Sequence, residues 1–99
     1  MVMRARKRFV VIAYDITKTK KRNKVVKQIL KYGGRVNLSV FECLLTDSQL
    51  SKLQDEIAKL IDSKTDQIAY YTLCVDCFTK IVYQPVRKRV KEISPTDVF

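Results

Sequence analysis

Ninety-nine residues carrying twenty Lys plus Arg, ten Asp plus Glu, and neither His nor Trp exclude a multi-domain enzyme and every mechanism that needs an imidazole. An apolar content of 46% excludes a disordered basic tail and supplies one modest core. The net charge of +10 points to an anionic partner, and the chemistry left open is that of carboxylates, Tyr, Lys or a metal-bound water.

Along the chain, Arg8 to Tyr14 is a short β-branched and aromatic run bounded by charge, which predicts a buried strand with Asp15 at its end. Its apolar stretch is too short for a signal segment or a membrane span, so a cytoplasmic protein with no membrane partner is expected. Val25, Val26, Ile29 and Leu30 recur at helical spacing before Gly33-Gly34, predicting a helix over about residues 20–32. Arg35 to Leu45 has extended character and no clear turn dipeptide, consistent with one bent strand or two. Thr46 with Gln49 forms a capping-box signature ahead of Leu50, Leu53, Ile57, Leu60 and Ile61, a second helix ending near Asp62. Gln67 to Val75 and Phe78 to Tyr83 read as two further strands, the latter stopped by Pro85. A single domain over residues 1–84 is expected, with a basic extension at 1–7 and a basic tail at 85–99.

The charge is concentrated. Residues 1–35 hold twelve cations against Asp15 alone, a balance of +11, and a smaller cluster lies at Arg87, Lys88, Arg89 and Lys91. At 100° per residue, Lys20, Lys24, Lys27 and Lys31 form one stripe opposite the apolar face. That stripe is a solvated face or a track for a phosphate backbone, and the spacing does not separate the two. The basic helix has no Trp or Phe to insert into an anionic membrane. Arg22 falls on the apolar side, facing the strand that ends in Asp15, and there it needs a partner: a carboxylate of the core, or the same substrate that Asp15 contacts.

Three cysteines, Cys43, Cys74 and Cys77, fit a reducing compartment as small buried hydrophobes. The Cys-Val-Asp-Cys run is a lone half-site for a metal or a redox pair. In an extended segment its two thiols would point to opposite faces and could not chelate one ion.

The element order predicts an α+β fold, a ferredoxin-like β-α-β-β-α-β sandwich plus an additional C-terminal strand, with both helices on one face of an antiparallel sheet. The first and fourth strands are apolar on both faces. The face opposite the helices therefore needs a cover, and a homodimer packed through sheet faces supplies one. That packing would bring two copies of Asp15 toward the two-fold axis.

Tyr14-Asp15-Ile16 at a strand end, Lys21-Arg22-Asn23-Lys24-Val25 opening a helix, Tyr32-Gly33-Gly34-Arg35-Val36, and Ser39-Val40-Phe41-Glu42 together resemble the CRISPR-associated protein two family over about residues 8–84. The resemblance implies a ferredoxin-like homodimer whose last strand can pair with the other protomer's sheet. It further implies a partnership with the CRISPR integrase in spacer acquisition, and a metal-dependent endonuclease activity on single-stranded RNA or double-stranded DNA. Asp15 matches the aspartate that looks like the metal ligand, Tyr14 is its neighbour, and Arg22, Arg35, Ser39 and Phe41 fall on positions the family also marks. Lys24 stands where the family often has Arg, and Asn37 where it often has Gln.

The residue roles that follow are Asp15 as ligand to Mg²⁺ or Mn²⁺, and Tyr14, Arg22 and Arg35 beside it in a catalytic set. The four stripe lysines contact nucleic acid, and Ser39 and Phe41 are structural, at the dimer. Asp15 also has a plainer reading, as a strand-end cap or the ion-pair partner of Arg22. Two alternatives to a nuclease stand: a non-catalytic DNA-bridging adaptor that holds integrase units apart, and an RNA-cleaving toxin on the same fold.

Overall fold

The computed structural model describes residues 6–84. The extension up to residue 5 and the tail from Pro85, with its basic cluster, Val98 and Phe99, lie outside the described residues.

Strand β1 (Lys7–Asp15) is the spine of a four-stranded antiparallel sheet with the order β2-β3-β1-β4. It pairs with β3 (Val40–Thr46) from Lys7 opposite Thr46 to Ala13 opposite Val40, and with β4 (Gln67–Leu73) from Phe9 opposite Leu73 to Asp15 opposite Gln67. Alternation along β1 sends Val10, Ile12 and Tyr14 to one face, where they meet Phe41, Cys43 and Leu45 of β3 and the buried stripes of both helices. Helix α1 (Thr19–Ile29) contributes Val25, Val26 and Ile29 to that core, and α2 (Asp47–Leu60) contributes Leu53 and Ile57. Truncating one of these fully buried side chains to Ala would cost about 2–5 kcal/mol in cavity and transfer terms.

The second helix starts as its sequence predicts. The Thr46 hydroxyl accepts from the Gln49 amide at 3.2 Å, and the Gln49 side chain accepts from the Thr46 amide at 2.8 Å. The first helix is shorter than its periodicity suggests. Its last turn tightens at Leu30, Lys31 and Tyr32, so Lys31 lies in the turn that follows. Gly33 is more than a helix stop, because it opens β2 (Gly33–Asn37) in close apposition to β3. A Cβ there would sit 2.0 Å from the Glu42 carbonyl oxygen and 2.6 Å from the Cys43 Cα, so the strand pairing requires glycine.

The Arg35–Leu45 segment is two strands. Leu38 and Ser39 form a two-residue turn, with the Ser39 amide donating to Asn37 Oδ1 at 3.0 Å, and a bulge falls between Arg35 and Asn37.

The additional C-terminal strand is the one element the structure corrects. β4 ends at Leu73, and α3 (Val75–Thr79) follows it in place of the expected strand over Phe78–Tyr83. Local bonds decide this. The Cys77 amide donates to Cys74 Sγ at 3.4 Å, the Thr79 hydroxyl to the Asp76 carbonyl at 2.8 Å, and Lys80 pairs with Asp76 at 2.9 Å. Together they hold a helical turn in place of the extended segment, which among the described strands would have had only the outer edge of β4 to pair with. The chain then crosses the face opposite the helices. There Ile81 packs against a fully buried Phe9 with Val11, Leu44 and Leu73, and the Tyr83 hydroxyl meets the Glu42 carboxylate. This chain's own segment thus covers one end of the second apolar face. The other end, around Ala13, Ala69 and an exposed Tyr71, is left uncovered by the described residues.

Candidate functional site

At the C-terminal end of β1 the chain leaves the sheet through Ile16, which is buried, and enters α1 three residues later. The β2–β3 turn arches over the same end. A cavity of about 650 Å³ opens there, lined by Tyr14, Asp15, Arg22, Asn23, Arg35 and Ser39 among others. Five of the side chains singled out by sequence are thus brought together by β1, α1, β2 and the β2–β3 turn.

Each is placed for an identifiable reason. The Tyr14 amide donates to the Ser39 carbonyl at 3.0 Å and the Tyr14 hydroxyl to the Leu38 carbonyl at 2.7 Å, so Tyr14 ties the turn to β1. Its ring lies 5.8 Å from that of Phe41, which is fully buried in the core beneath. The Arg35 guanidinium sits over the same Phe41 ring at 5.4 Å, close enough for a cation–π contact that holds it at the rim. Phe41 therefore supports Tyr14 and Arg35 from the core, while Ser39 is part of the cavity wall.

Arg22 faces the strand end as helical phasing predicts, but a carboxylate partner is not what it finds. Its guanidinium donates to the Ile16 carbonyl at 3.4 Å and to the Thr19 hydroxyl at 3.1 Å, and with further N–H groups to offer it lines the cavity. The residue before it takes the core carboxylate instead. Lys21 Nζ lies 3.6 Å from Asp66, whose side chain is 1% exposed. The Asp62 amide donates to Asp66 at 2.8 Å and, with Lys21 and the Thr65 hydroxyl, holds that carboxyl below its ordinary value despite its burial. Sequence reading missed this pair, because its two members lie far apart along the chain and only the fold brings them together.

Asp15 is exposed and makes no ion pair among the described residues. Its place in the alternation puts it on the same sheet face as Val11 and Ala13. It borders a second, shallower depression of about 220 Å³ with Gln67, Ala69 and Tyr71 on that open face. The carboxylate thus adjoins both the arginine-lined cavity and the uncovered part of the sheet.

Among the described residues no three His, Cys, Asp or Glu gather to hold a metal ion. Among the described residues that line the cavity, Asp15 is the one hard carboxylate. That donor set does not fit zinc, but it fits Mg²⁺ or Mn²⁺, which keep several waters and take one or two carboxylates plus phosphate oxygens.

Lys20, Lys24, Lys27 and Lys31 are all exposed, the first three along α1 and the fourth just beyond it, where its ammonium donates to the Gln28 side chain at 2.9 Å. Among the described residues no helix is long and apolar enough to cross a membrane.

Known proteins resemble this chain over most of its length. Residues 8–81 match the family described as CRISPR associated protein Cas2. A CRISPR-associated endoribonuclease Cas2 of Rhodospirillum rubrum is 43% identical over 67 residues, covering 68% of this chain and 54% of that relative, so the chain spans about half the length of that protein. A CRISPR-associated endonuclease Cas2 of Halalkalibacterium halodurans is 39% identical, with 73% of this chain and 80% of the relative covered. The crystal structure of Streptococcus pyogenes Cas2 at pH 6.5 superimposes with a TM-score of 0.69 at 31% identity, over 74% of this chain and 94% of that one.

Proposed function

The chain belongs to the Cas2 family of CRISPR-associated proteins, and from that premise we propose that it is a homodimeric, metal-dependent endonuclease that acts beside the CRISPR integrase in spacer acquisition. The observation that carries the reading is the position of Asp15. It is exposed, without an ion-pair partner among the described residues, between a cavity rimmed by Arg22 and Arg35 and a sheet face that is still uncovered.

A second copy apposed through that face would bury Tyr71 and Ala69 and bring a second Asp15 to the same place. The two carboxylates would hold Mg²⁺ or Mn²⁺, which when bound supplies a water acidic enough to attack phosphorus at neutral pH. The chain's own residues do the rest. Arg22 and Arg35 donate N–H bonds to non-bridging phosphate oxygens as negative charge accumulates on them. Tyr14 fixes the turn that carries Ser39 and thereby the distance across the cavity. The lysine face of α1 attracts the phosphate backbone and carries no base information, so it serves RNA and DNA alike.

A second reading is favoured by the same acid count. With one carboxylate per chain at the site, the dimer is a DNA-bridging adaptor of the integrase complex, in which the lysine face matters and Asp15 does not. A titration of Mg²⁺ and Mn²⁺ against cleavage, over a pH series with single-stranded RNA and double-stranded DNA offered side by side, separates the two. The nuclease reading expects cleavage of at least one substrate that saturates with metal and vanishes with a chelator. Binding with no metal-dependent cleavage of either substrate would leave the adaptor.

A further inference from the structure

The turn that replaces the expected C-terminal strand also changes what Cys74 and Cys77 can do. In a strand their thiols would diverge, whereas in a helical turn residues three apart share a face, with Cβ atoms about 5–6 Å apart. Small backbone adjustment closes that span to a disulfide. The two are already in contact, since the Cys77 amide donates to Cys74 Sγ at 3.4 Å, and both side chains are exposed. The third cysteine, Cys43, is buried in the core and opposes neither of them.

We propose that Cys74 and Cys77 form a redox-active dithiol, oxidised to an intrachain disulfide by low-molecular-weight disulfides of the glutathione class. The surroundings set the order of attack. The Cys77 amide and then the Cys77 thiol donate to Cys74 and lower its pKa, against burial and the Asp76 carboxylate. Donating to Cys74 and facing its charge raise the pKa of Cys77, with Lys80 opposing. Cys74 is the nucleophile. Its thiolate attacks one sulfur of the oxidant RSSR, forming a Cys74–SR mixed disulfide and expelling RS⁻. Cys77 loses its proton to solvent and attacks the Cys74 sulfur, closing the protein disulfide and expelling a second RS⁻. Two protein thiols are oxidised, and RSSR is reduced to two RSH.

The placement gives the switch a consequence within the fold. The turn joins β4 to the segment in which Ile81 covers Phe9 and Tyr83 meets Glu42, so oxidation fixes the first turn of the path that closes one end of the open sheet face.

The test equilibrates the full-length protein with oxidised and reduced glutathione, quenches it in acid, alkylates free thiols and maps them by mass spectrometry, with Cys74→Ser and Cys77→Ser in parallel. The expected result is a single Cys74–Cys77 bridge in the wild type, reversed by excess reduced glutathione, with Cys43 alkylated only after unfolding. Cys77→Ser should accumulate a glutathione adduct on Cys74, while Cys74→Ser should react on the order of tenfold more slowly at neutral pH. Protection of Cys43 in each variant reports that it has folded. Independent glutathionylation of both cysteines without a bridge, first reaction at Cys77, a bridge to Cys43, or a disulfide between two chains would each overturn the proposal.

Discussion

Lys21 and Arg22 are neighbours on α1, and Asp66 and Asp15 become neighbours in space, since Asp15 registers with Gln67 on β4. The two cations and the two acids nevertheless divide into different kinds of site. Lys21 and Asp66 form a pair with one member buried, backed by the Asp62 amide and the Thr65 hydroxyl. Arg22 hydrogen bonds a backbone carbonyl and a hydroxyl, and Asp15 makes no ion pair among the described residues. The first arrangement satisfies its charges internally and closes the loop before β4. The second leaves a carboxylate and two guanidinium groups around a cavity, with no ion pair among them in the described residues. Complementary charges close in space thus either pair within the fold or stay apart around a cavity.

The largest expected effect falls on the open arrangement. Asp15→Asn should reduce metal-dependent cleavage by roughly 10³-fold or more while nucleic-acid binding and thermal stability persist, because the exposed side chain makes no ion pair among the described residues. Unaltered cleavage by a carefully purified variant would assign the activity to a contaminant and the site to the adaptor reading. Arg22→Ala should lower the cleavage rate by about 10²-fold, the usual loss for one transition-state donor, and Arg22→Lys should recover only part of it because an ammonium cannot bind phosphate in two places. An equal rate in Arg22→Ala would return that guanidinium to a purely structural role at Ile16 and Thr19.

Next in size is the lysine face. Replacing Lys20, Lys24, Lys27 and Lys31 by Gln should weaken RNA and DNA alike and make the slope of log K against log salt shallower by about 3 to 4, close to one released counterion per lysine. A slope that stays put would make the stripe an ordinary solvated surface.

The smallest effect on cleavage should come from the closed pair. Asp66→Asn should change the cleavage rate less than about twofold but lower the Tm on the order of 5 °C. The pH dependence follows from the same contacts. The folded-state pKa of Asp66 lies below its ordinary 3.8, so its contribution to stability is complete above that value and is lost as pH falls through the lower folded value. Acid unfolding followed by circular dichroism should therefore shift to higher pH in Asp66→Ala. Coincident curves would show that the pair contributes nothing.

Much of this division was legible in the residues, and the exceptions have physical causes. Periodicity and the Thr46–Gln49 box located β1 and α2 because local chemistry and burial agree there. Helical phasing also turned Arg22 inward correctly. The carboxylate that Arg22 seemed to need went to Lys21 instead, an outcome fixed by the loop before β4 and invisible to a count of charges along one helix. Gly33 carried a strand-pairing role behind its appearance as a helix stop, since only the β3 backbone opposite it shows that a Cβ cannot fit. Phe78–Tyr83, stopped by Pro85, read as a strand, and three short-range bonds around Asp76 and Cys77 made a helical turn. Asn23 lines the cavity within a motif already noted, but phasing that tracked charge passed over it.

In the proposed nuclease two copies of Asp15 act on one site. The decisive experiment purifies, through two different affinity tags, a dimer with one wild-type chain and one Asp15→Asn chain and measures its metal-dependent cleavage rate. A shared site predicts a rate near that of the doubly substituted dimer. Half the wild-type rate would show that each chain works alone and would contradict the claim.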